Sequence, residues 1–291
     1  MGERNSVLKA DWPSNDRPYE IAFGEGVEQR FQIKFAVAIL KAKSRVLPIL
    51  GIELAGWDVI AVATTPQELV RLALKDTPYS ESALKRLATE TCSRVNTGNS
   101  IYALAVHGLI LVCKSPGASV GREITQSKLE DLAAHEFMHL VQFQLAGSAS
   151  SNDRPDQASA ERGPIWLLEG SAQAFANAVA FDRPAWTGRL AAMRKFPDGL
   201  PDLNELEHRE MRSRAPIPVY FGGMIGAVDP VDKSGFPAIA KFYEILGRRG
   251  GWQRAFEEAF GISVDTYYTL FAEMERVNTQ GAPLSGWLLR D

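Results

Sequence analysis

Cysteine and histidine are both scarce: the 291-residue chain holds two of the first and four of the second. Cys92 and Cys113 fit neither a zinc ribbon nor a C-x-x-C redox pair, which argues against cysteine-based metal binding and dithiol chemistry. The two could pair across neighbouring strands, but in a chain this poor in cysteine a free buried thiol at Cys113 is the expectation. Long apolar runs are lacking as well. The longest, residues 35–40 and 109–113, fall far short of the ~20 residues a membrane-crossing helix needs, so no membrane span is expected. Nor is positive charge in excess. The net charge is -3 and no dense Lys/Arg cluster stands out, which argues against a nucleic-acid partner. The first six residues are polar and lack the apolar stretch of a secretory signal, so a cytoplasmic chain, or an exported one already trimmed of its signal, is expected. Internal repeats and low-complexity segments are absent.

What is present is the composition of a globular chain, 45% hydrophobic and 23% charged, large enough to bury a substantial core. Two of the four histidines fall in one segment, Leu129-Glu130-Asp131-Leu132-Ala133-Ala134-His135-Glu136-Phe137-Met138-His139-Leu140, which reads as one amphipathic helix. Ser127-Lys128-Leu129-Glu130 before it has the pattern of a capping box. Residues four apart lie on one helix face, so His135 and His139 can turn their imidazoles to a common point. Two neutral imidazoles and a third ligand suit Zn2+ with one position left for water. Glu136, in the middle of the H-E-x-x-H motif, is placed to take that water's proton.

Downstream, Pro164-Ile165-Trp166-Leu167-Leu168-Glu169-Gly170-Ser171-Ala172-Gln173-Ala174-Phe175-Ala176 reads as a second helix with one carboxylate in an apolar run. An ionised carboxylate in such a setting is costly unless it is paired or binds a metal, and no basic residue sits at helical spacing from Glu169 in its segment. A zinc ion would remove that cost.

H-E-x-x-H followed some tens of residues later by W-L-x-E-G-x-A resembles the gluzincin zinc peptidases, the thermolysin-like and aminopeptidase-like branch of the zincins. The match is tightest over residues 127–176. The resemblance implies His135, His139 and Glu169 as zinc ligands, Glu136 as general base, a peptide or protein substrate, and a strand beside the metal helix that grips extended peptide through its backbone. Two features depart from the family: the gap from His139 to Glu169 is longer than in the best-known aminopeptidases, and no G-A-M-E-N-type exopeptidase segment lies upstream. The metzincin pattern is excluded, because no H-x-x-G-x-x-H continuation follows His139.

Along the chain, residues 27–47 carry apolar positions at helical spacing with Pro48 near the end, and residues 57–63 read as a buried strand. Thr65-Pro66-Gln67-Glu68 opens a short helix with a capping box, and Leu84, Leu87 and Ala88 mark another. Residues 101–106 and 109–113 are strand-like runs split by His107-Gly108, either a tight turn or a bulge, with His107 structural. Residues 146–164 read as an exposed loop. Beyond it the pattern is helical: 186–193, 204–212, 236–246, 252–260 and 264–274, with Gly247 and Gly261 as C-terminal caps and Trp252, Phe256 and Phe260 as a core stripe. The expected fold is α+β and zincin-like, with a strand-bearing N-terminal lobe over 1–145, a helical C-terminal lobe over 146–291, and the zinc at their junction, together one peptidase domain.

For the chemistry of peptide hydrolysis, the developing oxyanion needs a hydrogen-bond donor, and Tyr220 and His208 are the candidates. Tyr220 lies in Val219-Tyr220-Phe221-Gly222-Gly223-Met224, which resembles the tyrosine-bearing segment of many gluzincins. Gln173, one turn after Glu169, is either a support for a ligand histidine or a solvent-facing residue. Ser171 is small enough for close helix packing and lacks a G-x-S-x-G elbow, so it is not expected to be a nucleophile. Two other functions use the same residues: a non-catalytic zinc-stabilised scaffold that binds peptide or protein, and a zinc hydrolase of a non-peptide amide or ester.

Overall fold

The computed structural model describes residues 7–9, 20–53, 59–96, 100–146, 163–180, 202–208, 218–248 and 251–279. The fold is mixed α+β: every described strand precedes Ser115, and the described elements beyond Leu145 are helical. The chain forms two compact units, Met1–Val46 with Glu53–Gln144 and Ser148–Ala158, and Leu47–Ile52 with Leu145–Gly147 and Ser159–Asp291.

The first unit is built on a five-stranded sheet. Its strands are β1 (Val7–Lys9), β2 (Glu20–Phe23), β3 (Val59–Ala63), β4 (Ile101–Val106) and β5 (Leu109–Lys114), in the spatial order β1-β2-β3-β5-β4. β2, β3 and β5 run parallel, while β1 and β4 close the two edges antiparallel. Helix α1 (Gln29–Leu50) follows β2, and α2 (Pro66–Leu74) and α3 (Glu81–Asn96) follow β3. β3 and β5 are buried at every position, as strands covered on both faces must be, and this is why their sequences read as continuous apolar runs.

One sheet face, carrying Val59, Ala61, Leu109, Leu111 and Cys113, packs with Leu69, Leu84, Leu87 and Cys92 of α2 and α3. Cys113 therefore points at α3. The two cysteines form a disulfide, so the expected free thiol is wrong, and the bond joins a helix to a strand rather than two strands. Period-two alternation along β5 brings Cys113 to the same face as Leu109 and Leu111, opposite Cys92. Lys114, next in line, points to the other face, where its Nζ lies 5.8 Å from the Phe31 ring centre of α1.

The local signals give mixed results. Thr65 caps α2 by accepting from the Glu68 N–H, as its pattern predicts. Glu68 itself does not complete a box and instead accepts from the N–H of Glu25. His107-Gly108 is a two-residue turn rather than a bulge, with Gly108 at a φ of 69°. α1 continues through Pro48 to Leu50.

The second unit holds α5 (Ile165–Ala180), a 3-10 turn (Leu203–Leu206), a π turn (Pro218–Gly222), α6 (Gly223–Ser234), α7 (Pro237–Gly247), α8 (Trp252–Phe260) and α9 (Val264–Thr279). Its core is aromatic. Trp166 is fully buried among Phe256, Tyr267 and Tyr268, and Phe256 packs on Phe260 as the stripe predicts. Gly261 caps α8 in the left-handed region. Gly247 does not: it ends α7 where a Cβ would stand 2.7 Å from the Leu145 carbonyl oxygen, so close backbone approach is what requires glycine there. Of residues 204–212, expected as a helix, 204–208 are described, and the only helical part of them belongs to the 3-10 turn Leu203–Leu206. The expected helix at 186–193 and most of the expected loop at 146–164 lie outside the described residues.

Candidate metal centre

Helix α4 (Gln126–Leu145) carries the H-E-x-x-H motif. Its cap is Thr125, whose Oγ1 accepts from the Lys128 N–H, so the box expected at Ser127 is displaced by two residues. Glu130 is free of capping and instead accepts from Gln126 Nε2 at 3.0 Å and pairs with Lys41 of α1 at 2.6 Å. Burial works to raise its carboxyl, but the hydrogen bonds from Lys41 and Gln126 and the charges of Lys41 and Lys34 hold it below the usual carboxylate range.

Helix α4 is less amphipathic than expected, because Ala133 through Phe143 are buried without interruption. Three ionisable side chains, His135, Glu136 and His139, thus lie inside, where each needs a specific partner or a metal to offset the loss of water. The Nε2 atoms of His135 and His139 are 3.1 Å apart, with the rings nearly perpendicular. His139 Nδ1 is 2.6 Å from Gln142 Oε1. An amide oxygen only accepts, so Nδ1 carries a proton and donates, and in the neutral imidazole Nε2 is then the nitrogen with the lone pair. Sequence reasoning missed Gln142. Its signal was there, a polar residue three positions after a ligand candidate on the same helix face.

Glu136 is held differently. Its Oε2 accepts from the backbone N–H of Ala105 in β4 at 2.8 Å. The two-residue turn makes Val106 and Leu109 a hydrogen-bonded pair, so even-numbered residues of β4 bond β5, and the N–H of Ala105 points outward from the sheet edge.

The matching parts of the second unit are on and around α5. Glu169 is fully buried in its middle. Gln173 is 9% exposed, so the solvent-facing reading of it fails. Ser171 Oγ donates to the Leu167 carbonyl at 2.6 Å, a bond within its own helix, in keeping with a packing role. Gly170 lies against the Gly223 backbone so closely that a Cβ would collide with it, which explains the glycine after Glu169. The first turn of α5 is anchored by a relay: Trp166 Nε1 donates to the Tyr268 hydroxyl at 2.9 Å, and that hydroxyl donates to Glu207 Oε1 at 2.8 Å. Burial, foremost, pushes the Tyr268 hydroxyl well above the usual tyrosine value, with the Glu207 carboxylate adding to the rise, so it stays protonated as a donor. Tyr220 is half-buried in the π turn just before α6, and His208 is exposed after the 3-10 turn.

The first unit therefore brings His135, Glu136 and His139 together, and the second carries Glu169, Gln173, Tyr220 and His208. The chain matches no protein-family model and no curated protein. What the centre can hold follows from its donor set. Tetrahedral zinc with nitrogens at 2.0–2.1 Å separates two imidazole nitrogens by about 3.3 Å. The observed 3.1 Å fits that span, and the tautomer imposed by Gln142 leaves the lone pair that coordination requires.

Proposed function

We propose that the chain is a zinc-dependent metallopeptidase of the gluzincin type, with His135, His139 and Glu169 as ligands. The observation that carries this reading is the 3.1 Å approach of the two Nε2 atoms, with His139 fixed by Gln142 in the ligating tautomer. Glu169 fits the third place by chemistry, being buried and offering a carboxylate oxygen as each histidine offers a ring nitrogen. Bound zinc would lower the pKa of a water to about 7 and polarise the scissile carbonyl.

The chain's own residues supply the rest. Glu136 is anchored through Oε2 to Ala105, and its Oε1 takes the proton from the attacking water and passes it to the leaving amine. β4, an edge strand, presents outward-facing backbone groups at Ile101 and Ala103 that can pair with an extended peptide. Tyr220 donates to the oxyanion, with His208 as the competing donor. The zincin architecture and the union of both lobes into one peptidase domain belong to the same proposal.

Metal analysis combined with a broad peptide-library cleavage assay tests it. One zinc per chain, lost in Glu169→Ala and kept in Glu136→Gln with cleavage abolished, is the expected result. Undiminished cleavage by Glu136→Gln would remove the general base from the mechanism, and zinc held equally tightly by Glu169→Ala would remove the third ligand.

A further inference from the structure

Charge is unevenly distributed along this chain. α1 contains Arg30, Lys34, Lys41, Lys43 and Arg45 and no acidic residue in its 22 positions. Taking those five from the chain's 32 basic residues leaves 27 against all 35 acidic ones, so α1 is +5 and the remainder -8. Other surface helices pair their cations along the helix: Lys85 with Glu81 in α3, and Arg254 with Glu258 in α8. Among the described residues, Arg30, Lys34 and Arg45 make no ion pair, while Lys41 pairs with Glu130.

The cations border an apolar strip. Phe31, Phe35, Ala38, Ile39, Ala42 and Val46 form the buried face of α1. On the opposite side Ile33 and Val37 stand 52% and 49% exposed, and Leu40 continues the line, half-buried, at i, i+4, i+7 spacing. Arg30, Lys34, Lys41 and Arg45 fall along one flank of that line by the 3.6-residue period. A merely solvated face has no need of aliphatic side chains along its centre. Aliphatic centre and basic flank together form the surface that settles on an anionic bilayer, the aliphatic side chains entering the headgroup boundary while the cations meet lipid phosphates and carboxylates.

The geometry points to a membrane-docking role for the outer face of α1, with a bilayer surface rich in acidic lipid as its partner. The helix lies on the surface without crossing it, consistent with the lack, among the described residues, of any helix long and apolar enough to span a membrane. This role is independent of the metal centre.

Co-sedimentation of the full chain with vesicles of phosphatidylcholine alone, or of phosphatidylcholine with phosphatidylserine, tests it. Binding to the serine-containing vesicles only, weakening as salt rises, is expected. Each cation near such a surface contributes about fivefold, so Arg30→Gln/Lys34→Gln/Arg45→Gln should weaken binding on the order of 100-fold. Ile33→Ser/Val37→Ser should weaken it at least about tenfold by removing aliphatic insertion. All five positions are exposed, so both variants should melt as the parent does, and either one alone suffices for the test. Failure to bind serine-containing vesicles at low salt, or binding unchanged by either variant, overturns the proposal. Equal binding to soluble polyglutamate that ignores the Ile33/Val37 change would assign the face to an acidic polypeptide and overturn it as well.

Discussion

The N–H of Ala105 donates to Oε2 of Glu136 across 2.8 Å, joining the edge strand to the centre of the H-E-x-x-H helix over 31 residues of sequence. The bond uses a backbone donor that the sheet ladder leaves over, because Ala105 faces away from β5. It fixes one carboxylate oxygen of Glu136 and with it the direction of the other. The strand proposed to hold peptide and the carboxylate proposed to move the proton are thus joined directly by a hydrogen bond.

Gln142 sets the tautomer of His139, so its removal should weaken metal binding without unfolding the helix. Gln142→Ala should bind zinc about 10 to 100-fold more weakly in competition with a chelator, and Gln142→Glu, which keeps an acceptor, should recover most of the loss. Parental affinity in Gln142→Ala would show that the His139 ring is oriented by something else.

Tyr220 and His208 make opposite predictions as the oxyanion donor. Loss of one such donor costs on the order of 100 to 1000-fold in kcat, so Tyr220→Phe should fall by that factor with KM little changed. His208→Ala should turn over at the parental rate, as its exposure implies. A selective loss in His208→Ala would move the role to the histidine.

The relay from Trp166 through Tyr268 to Glu207 anchors the turn of α5 just before Glu169. Tyr268→Phe leaves the buried Trp166 N–H without its acceptor, at a cost of about 1 to 3 kcal/mol. A melting temperature lowered by several degrees, together with faster amide exchange at the start of α5, is expected. An unchanged melt would mean that aromatic packing alone holds Trp166.

Acid should release the Glu130–Lys41 pair. The Glu130 carboxyl titrates below its usual value in the folded chain, so its contribution is present above the ordinary carboxylate range and is lost as pH falls through the folded value. A double-mutant cycle with Glu130→Gln and Lys41→Met should give a coupling at neutral pH that vanishes in acid. Both side chains are partly exposed, so the coupling will be small and sensitive to salt.

The sequence by itself determined the elements whose signals are local: the helical spacing of His135 and His139, the runs that became β3, β4 and β5, the Thr65 cap, the left-handed Gly261 and the Phe256 and Phe260 positions of the α8 stripe, whose third member, Trp252, is only half-buried. Each depends on residues within a turn or two of one another, and period and capping chemistry act over that distance. Tertiary structure decided the rest. Whether Cys113 is a free thiol depends on which sheet face α3 covers, and two residues 21 apart reveal nothing of that until the sheet forms. The N-terminal boundary of α4 fell to Thr125 over Ser127 because both offer a hydroxyl, and Glu130, the other half of the expected box, is engaged by Lys41 from a distant helix. Ala105 has no side chain that could announce a role. Its N–H reaches Glu136 only because β4 ended up at the sheet's edge, where a backbone donor is left without a strand to meet it.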